Sequence, residues 1–245
     1  MKPISLQLYS VREAAAGDFA GVLKRVAAAG YDGVEFAGLH GLAPKDVRAL
    51  VDDLGLQVSS AHMAIPSPEN AAQLIEECGI LGVPTLVAGV GPDQVKTLDG
   101  VKETAARFQQ GAELMAAAGL GFAFHNHWWE FQTVEGRIVE DILLELAPAA
   151  NAELDVYWAQ VGGGDAPGSV KRLAARCPLL HMKDGPIDPP QPMTAVGAGK
   201  VDIPAVVAAA DPKVLKWLIV ELDSCATDMM EAVAQSCAYL KGLGA

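Results

Sequence analysis

Short apolar runs alternate with longer amphipathic stretches along the whole chain. That order marks βα units feeding a parallel sheet. The pattern predicts strands at 4–8 (ISLQL), 33–36 (GVEF), 56–61 (LQVSSA), 84–89 (PTLVAG), 121–126 (GFAFHN), 151–156 (NAELDV), 178–182 (PLLHM) and 217–222 (WLIVEL). Helices between them include 18–29, 45–54 and 100–118, and these run into Gly30, Gly55 and Gly119. A glycine after the last apolar turn is the usual left-handed stop before the next strand.

Eight strands with helices between them, and no break in composition, predict one closed α/β barrel. The fold class is a (β/α)8 TIM barrel, a single domain over residues 1–245, close to the typical size of about 250 residues. An open doubly wound sheet is the alternative. It would be supported by a glycine-rich dinucleotide loop after the first strand, but QLYSVREAAAG carries no GxGxxG. Gly162, Gly163 and Gly164 lack the Gly-Lys-Ser/Thr of a phosphate loop and read as a flexible rim loop.

A 51% hydrophobic, 6% aromatic composition suits buried parallel strands with helices packed on them. Thirty acidic against eighteen basic residues give a charge of −12. Such a surface disfavours nucleic acid and anionic membranes, which need clustered Lys and Arg. The start, MKPISLQLYS, turns polar at once, unlike a secretory signal. No run approaches the roughly 18 apolar residues of a membrane span. Cys78, Cys177, Cys225 and Cys237 have no CxxC spacing and read as reduced thiols, so a cytoplasmic location is expected. A homo-oligomer is left open.

Chemistry concentrates where strands end. His62, His125, His127 and His181 all fall there, as do Asp155 in AELDVYW and Glu221 in WLIVELD. In a parallel barrel those ends form one face, where ligands bind. Buried carboxylates need a cation or a basic partner. Asp155, His181 and Glu221, on strands six, seven and eight, therefore predict a site for a divalent cation. In HNHWWEF (125–131), His125 and His127 share one side of the strand and Asn126 takes the other. Trp128 and Trp129 offer an apolar wall for a sugar ring, and Glu130 lies in the following loop. His40, in FAGLHGL, is expected to be exposed.

The segments QLYSVR (7–12), GYDGVEFAG (30–38), SAHM (60–63), HNHWWEF, LDVYW (154–158), HMKD (181–184), GAGKVD (197–202) and IVELDS (219–224) run in order along the chain. Together they resemble the xylose isomerase-like TIM barrels of the sugar phosphate isomerase/epimerase family. The resemblance implies a metal held by Glu, Asp, His and Glu from strands five to eight. The last three fall on Asp155, His181 and Glu221, but Ala123 stands where ketose epimerases carry the first Glu. Glu130 folding back is then the expected fourth ligand, with His127 or His125 as alternatives. The HNHxxEF form looks closer to inosose dehydratases and enzymes of keto-sugars. Ala198 likewise replaces the Glu that relatives show in the loop after strand seven.

The resemblance further implies that His62, His125, Trp128, Tyr9, Arg12 and Glu35 bind substrate, and that Glu221, Lys183 and His127 do the chemistry. Lys183 is expected either to polarise a carbonyl or to serve as a base if burial lowers its pKa. One divalent cation is expected, Mn2+ or Mg2+ first, with Zn2+ and Co2+ as further candidates. The expected reaction is isomerisation or epimerisation of a small sugar through proton abstraction next to a carbonyl and an enediolate stabilised by the metal. Dehydration of a keto-sugar or keto-cyclitol is the alternative reaction. A metal-free sugar-binding barrel, its site decayed with Ala123 and Ala198, is the contrasting possibility. A phosphodiesterase like the AP endonucleases would need more His and carboxylate ligands.

Overall fold

The computed structural model describes residues 2–187 and 192–244. Eight parallel strands close into a barrel: β1 Ile4–Gln7, β2 Gly33–Ala37, β3 Gln57–His62, β4 Thr85–Ala88, β5 Gly121–His125, β6 Asn151–Asp155, β7 Leu179–Met182 and β8 Trp217–Val220. Each pairs with its neighbours in sequence, and β8 closes on β1 through Ser5↔Ile219 and Leu6↔Val220. All eight predicted strands are present, with ends within two residues of expectation. No helix among the described residues is long and apolar enough to cross a membrane.

The helices α1 Arg12–Ala28, α2 Pro44–Asp53, α3 Ala71–Leu81, α4 Leu98–Ala117, α5 Val139–Leu146, α6 Val156–Val161, α7 Ala166–Leu173, α8 Ile203–Ala209 and α9 Met229–Gly242 follow the strands. The expected start of α1 at residue 18 coincides with a real break. Asp18 is non-helical (φ −151°, ψ 77°), and its carboxylate accepts the Gly21 N–H at 2.7 Å. Gly30, Gly55 and Gly119 all have positive φ, as a left-handed stop requires. His40 is half-buried rather than exposed, its ring 5.3 Å from that of Phe19.

Alternation along the strands fills the barrel in layers. Val87, Ala123, Leu179, Trp217 and Ile219 form an apolar plug inside it. One step further up every strand but β4 the inward residues become polar: Gln7, Glu35, His62, His125, Glu153, Asp155, His181 and Glu221. A register shift between β2 and β3 at Val34/Glu35 turns two successive serines to useful work. Ser59 bonds Ser5 at 2.8 Å, and Ser60 donates to Glu35 at 2.5 Å.

The loop after β7 is built around one buried carboxylate. Asp184 accepts the N–H groups of Gly185 and Val201 on Oδ1, and of Gly197 and Gly199 on Oδ2, at 2.8–3.0 Å. A Cβ on Gly199 would collide with that carboxylate, so glycine is required there. Asp184→Ala would leave four backbone donors unpaired. It should lower the unfolding free energy by about 3 kcal/mol in urea titration; a loss under about 1 kcal/mol would contradict this role.

Candidate active site

The mouth of the barrel encloses a cavity of about 480 Å³, lined by Tyr9, His62, His125, His127, Trp158, Lys183, Glu221 and Asp223 among others. Three of the five histidines, His62, His125 and His127, line it, and His181 lies fully buried against them. Their rings touch in series: His62 lies 5.1 Å from His125 and 5.5 Å from His181, and His125 lies 4.5 Å from His181.

His181 is the hub. It is fully buried, with Nδ1 2.9 Å from Glu221 and Nε2 2.7 Å from Glu35 and 3.1 Å from Glu153. Burial opposes its charge, but Glu153, Glu35 and Glu221 outweigh that and hold its pKa well above the usual value. Burial likewise opposes ionisation of Glu153, yet His181 and His62 keep it well below the ordinary carboxylate value. Glu35 goes the other way. Burial and the nearby Glu153 charge push it up to about 7, and Gln7 donates to it at 2.6 Å. Glu35, expected as a substrate contact, is instead fully buried, its carboxylate 2.7 Å from His181.

A second knot lies above. The Lys183 ammonium, 1% exposed, sits 3.1 Å from Asp155, 2.7 Å from Glu221 and 3.0 Å from Asp223. Burial would lower its pKa, but these three carboxylates raise it above the ordinary lysine value. Lys183 is therefore a fixed cation, and the expectation that it might serve as a base is corrected. Asp155 is pushed up to about 6 by burial, against the pull of Lys183 and His181. Its position is braced by Asn126, which accepts the Asp155 N–H at 2.8 Å and donates to its carbonyl at 3.2 Å. Glu221 stays well below its usual value because Lys183 and His181 outweigh its burial.

His125 and His127 are neutral imidazoles. Burial and His181 lower His125 well below the usual value, while burial and Lys183 bring His127 down to about 4. His127 stacks on Trp129 at 4.2 Å. Trp128 is exposed and packs on Trp158 at 5.0 Å, and it is Trp158, in the first turn of α6, that faces the cavity. Tyr9 lines the mouth, and the Arg12 guanidinium lies 4.0 Å from its ring centre while donating to the Tyr9 and Asp223 carbonyls.

Glu130 does not reach the cluster. The turn Trp129–Phe131 curls it back so that Oε2 accepts the His127 N–H at 2.8 Å, and the carboxyl is buried away from the other carboxylates of the mouth. Sequence reading also passed over Glu153 and Asp223. For Glu153 the signal was there: it lies two residues before Asp155, hence on the same face of the strand; Asp223 lies past the end of β8, where alternation gives no guide.

Two sets of side chains bring ligand atoms within 4.8 Å of one another: His125, Asp155, His181 and Glu221, and His62, His125, Glu153 and His181. His125 Nδ1, Glu153 Oε1 and Asp155 Oδ2 are buried with no hydrogen-bond partner; Lys183 lies 3.1 Å from the last but out of line. Imidazoles and carboxylates converging with unsatisfied buried atoms fit a divalent ion.

A protein-family description, "xylose isomerase-like TIM barrel", matches residues 23–243. Among solved structures, a sugar phosphate isomerase/epimerase from Parabacteroides distasonis superposes with a TM-score of 0.82 at 27% identity, covering 98% of this chain and 93% of that one. The probable 3-DHS dehydratase AsbF from Bacillus anthracis gives 0.77 at 14% identity, over 98% and 97%. The IolI protein with a zinc atom gives 0.74 at 15%, over 99% and 98%. The last two bear on the fold alone. No curated protein matches the chain.

Burial lifts the Glu130 carboxyl to about 8 in the folded protein, from an ordinary 4.5. The folded state therefore keeps a proton that the unfolded chain releases, and stability falls as pH rises from about 4.5 to about 8. Glu130→Gln mimics the protonated form. It should match the parent near pH 4.5 and exceed it at pH 8 by about 2–4 kcal/mol. Its zinc affinity should stay within about threefold, whereas a ligand would cost tenfold or more. Equal stability at pH 8, or a tenfold weaker zinc titration, would overturn this placement.

Proposed function

The chain belongs to the xylose isomerase-like TIM barrel family, and on that premise we propose that it is a metal-dependent isomerase or epimerase of a small sugar, moving a proton next to a carbonyl. The observation that carries this reading is convergence. One cavity presents His62, His125, His127 and Glu221 beside the fixed Lys183 cation, more acid/base groups than binding alone requires. The named activity of the Parabacteroides relative supports the same reading.

A divalent ion held by His125, His181 and their neighbouring carboxylates would supply Lewis acidity, acidifying the C–H between two substrate oxygens. The rest falls to the chain's own groups. Trp158 and Tyr9 offer apolar faces to a sugar ring, and Gln7 and His62 offer hydrogen bonds to its hydroxyls. The fixed Lys183 ammonium donates to an oxygen on which negative charge develops. Proton removal then belongs to a group that is unprotonated at neutral pH: the carboxylate of Glu221 or the neutral imidazole of His127. They project beyond β8 and β5, three strands apart in the ring, so one can take a proton and the other return it on a different face. Loss of a neighbouring hydroxyl in place of that return gives dehydration. Ala123 favours this second reading, because it removes a carboxylate that epimerases use as an opposed acid/base group.

Incubated in D2O with a panel of ketoses, ketose phosphates and keto-inositols, the metal-loaded protein should place deuterium at the carbon next to the carbonyl. A new epimer without ultraviolet absorbance identifies isomerase chemistry, and an absorbing enone or diketone identifies elimination. Lys183→Met should lower kcat about 100-fold, the scale of losing one donor to a developing oxyanion. No turnover and no deuterium uptake across the panel, with metal bound, would replace this reading with a sugar-binding barrel.

A further inference from the structure

Among the described residues, Lys183 is the only lysine or arginine lining the catalytic cavity. Three carboxylates already share it: Asp155, Glu221 and Asp223. They differ in exposure. The Asp155 side chain is fully buried and that of Glu221 is 6% exposed, whereas 31% of the Asp223 side chain is open. Asp223 therefore displays at the mouth the negative charge that one ammonium cannot balance. Building on the isomerase reading, we propose that Asp223 sets substrate specificity: its carboxylate accepts a hydrogen bond from a substrate hydroxyl and repels a phosphate ester, so the substrate is an unphosphorylated sugar or cyclitol.

The carboxylate is firmly placed. The Asp223 N–H meets Met193 Sδ at 3.3 Å, and the Asp223 carbonyl accepts Arg12 Nη2 at 3.0 Å. The preceding Leu222 N–H donates to Ser10 Oγ at 3.0 Å. Lys183 Nζ lies 3.1 Å from Oδ1 and 3.0 Å from Oδ2. A carboxylate offers about four lone-pair positions, so about two remain for a donor in the cavity. A group fixed in this way loses little freedom on binding, and a hydroxyl donating to a charged acceptor makes one of the stronger hydrogen bonds.

A phosphate ester meets no free cation here. His125 and His127 are neutral. His62 is engaged by Glu153 at 2.7 Å and Glu35 at 3.4 Å. A second cavity of about 480 Å³ shares Asp223 with this one and holds Arg12 and Arg25, but Glu13, Asp223 and Asp228 line it too. Both terminal nitrogens of Arg12 already donate to backbone carbonyls. The net charge of −12 works in the same direction, because a negative surface lowers the local concentration of anions. Trp158 and Tyr9 offer faces suited to the C–H side of an uncharged ring.

Matched pairs test the assignment: fructose, psicose and xylulose, each against its terminal phosphate ester. The metal-loaded protein should favour the unphosphorylated member at least about 100-fold in kcat/KM, the scale of setting like charges together. High salt should narrow that preference. Asp223→Asn keeps the shape and removes the charge. It should cut the preference at least about tenfold, raising KM for the free sugar and lowering it for the ester. Asp223→Glu, which restores the charge, should retain the discrimination.

Calorimetric binding of sorbitol and sorbitol phosphate repeats the comparison without turnover. Circular dichroism checks folding, and if Asp223→Asn unfolds, the salt dependence of the unsubstituted protein still decides. A purely structural role for Asp223 would lower kcat/KM for both members alike and leave their ratio unchanged. That result, or an unsubstituted protein that prefers the esters, overturns this inference and leaves the isomerase reading standing. Failure to bind or turn over any of these compounds, with metal bound, overturns both.

Discussion

A single buried imidazole ties the interior together. His181 contacts carboxylates from three other strands: Glu35 on β2, Glu153 on β6 and Glu221 at the end of β8. An uncompensated carboxylate at that depth would cost several kcal/mol. The proton on His181, or an ion in its place, is what allows acids from opposite sides of the ring to share one enclosed volume. Gln7, Ser60, His62 and His125 complete the set as donors to Glu35 or close neighbours of Glu153.

The arrangement works only because the two ends of the barrel differ. Below, Val87, Ala123, Leu179, Trp217 and Ile219 exclude water, so every charge above them is felt strongly. Above, Lys183 pairs with Asp155, Glu221 and Asp223, and so fixes its own role as a donor. Ala123 belongs to the plug, not to the polar layer. Where a carboxylate would otherwise rise from β5, this chain has a methyl group, and His125, one step up the same face, brings an imidazole instead.

Most of the barrel was legible because alternation and helical stops are local signals, and each βα unit repeats them. The meeting of Asp155, His181 and Glu221 was legible for a related reason: strand ends share a face in a parallel barrel, whatever the distance in sequence. Depth was not. Glu153 read as an ordinary strand residue and Glu35 as a substrate contact, until the register placed both against His181. Glu130 was misplaced because a tight turn, which no periodicity announces, directs its carboxyl to the His127 backbone. Trp158 took the cavity position expected of Trp128 through the cap of α6 by Asp155, an interaction of three residues' span.

The central claim is electrostatic: carboxylates surround His181 closely enough to keep it doubly protonated in the metal-free protein. Long-range 1H–15N correlation of labelled histidine tests it directly. Both ring nitrogens of His181 should show imidazolium shifts at about pH 7.5, a full unit above an ordinary histidine pKa of about 6.5. His125 should be neutral under the same conditions. On the proposed metal-dependent reading, added zinc should then release the His181 proton and leave a neutral, metal-shifted ring. A His181 that is already neutral at pH 7 without metal would contradict the account.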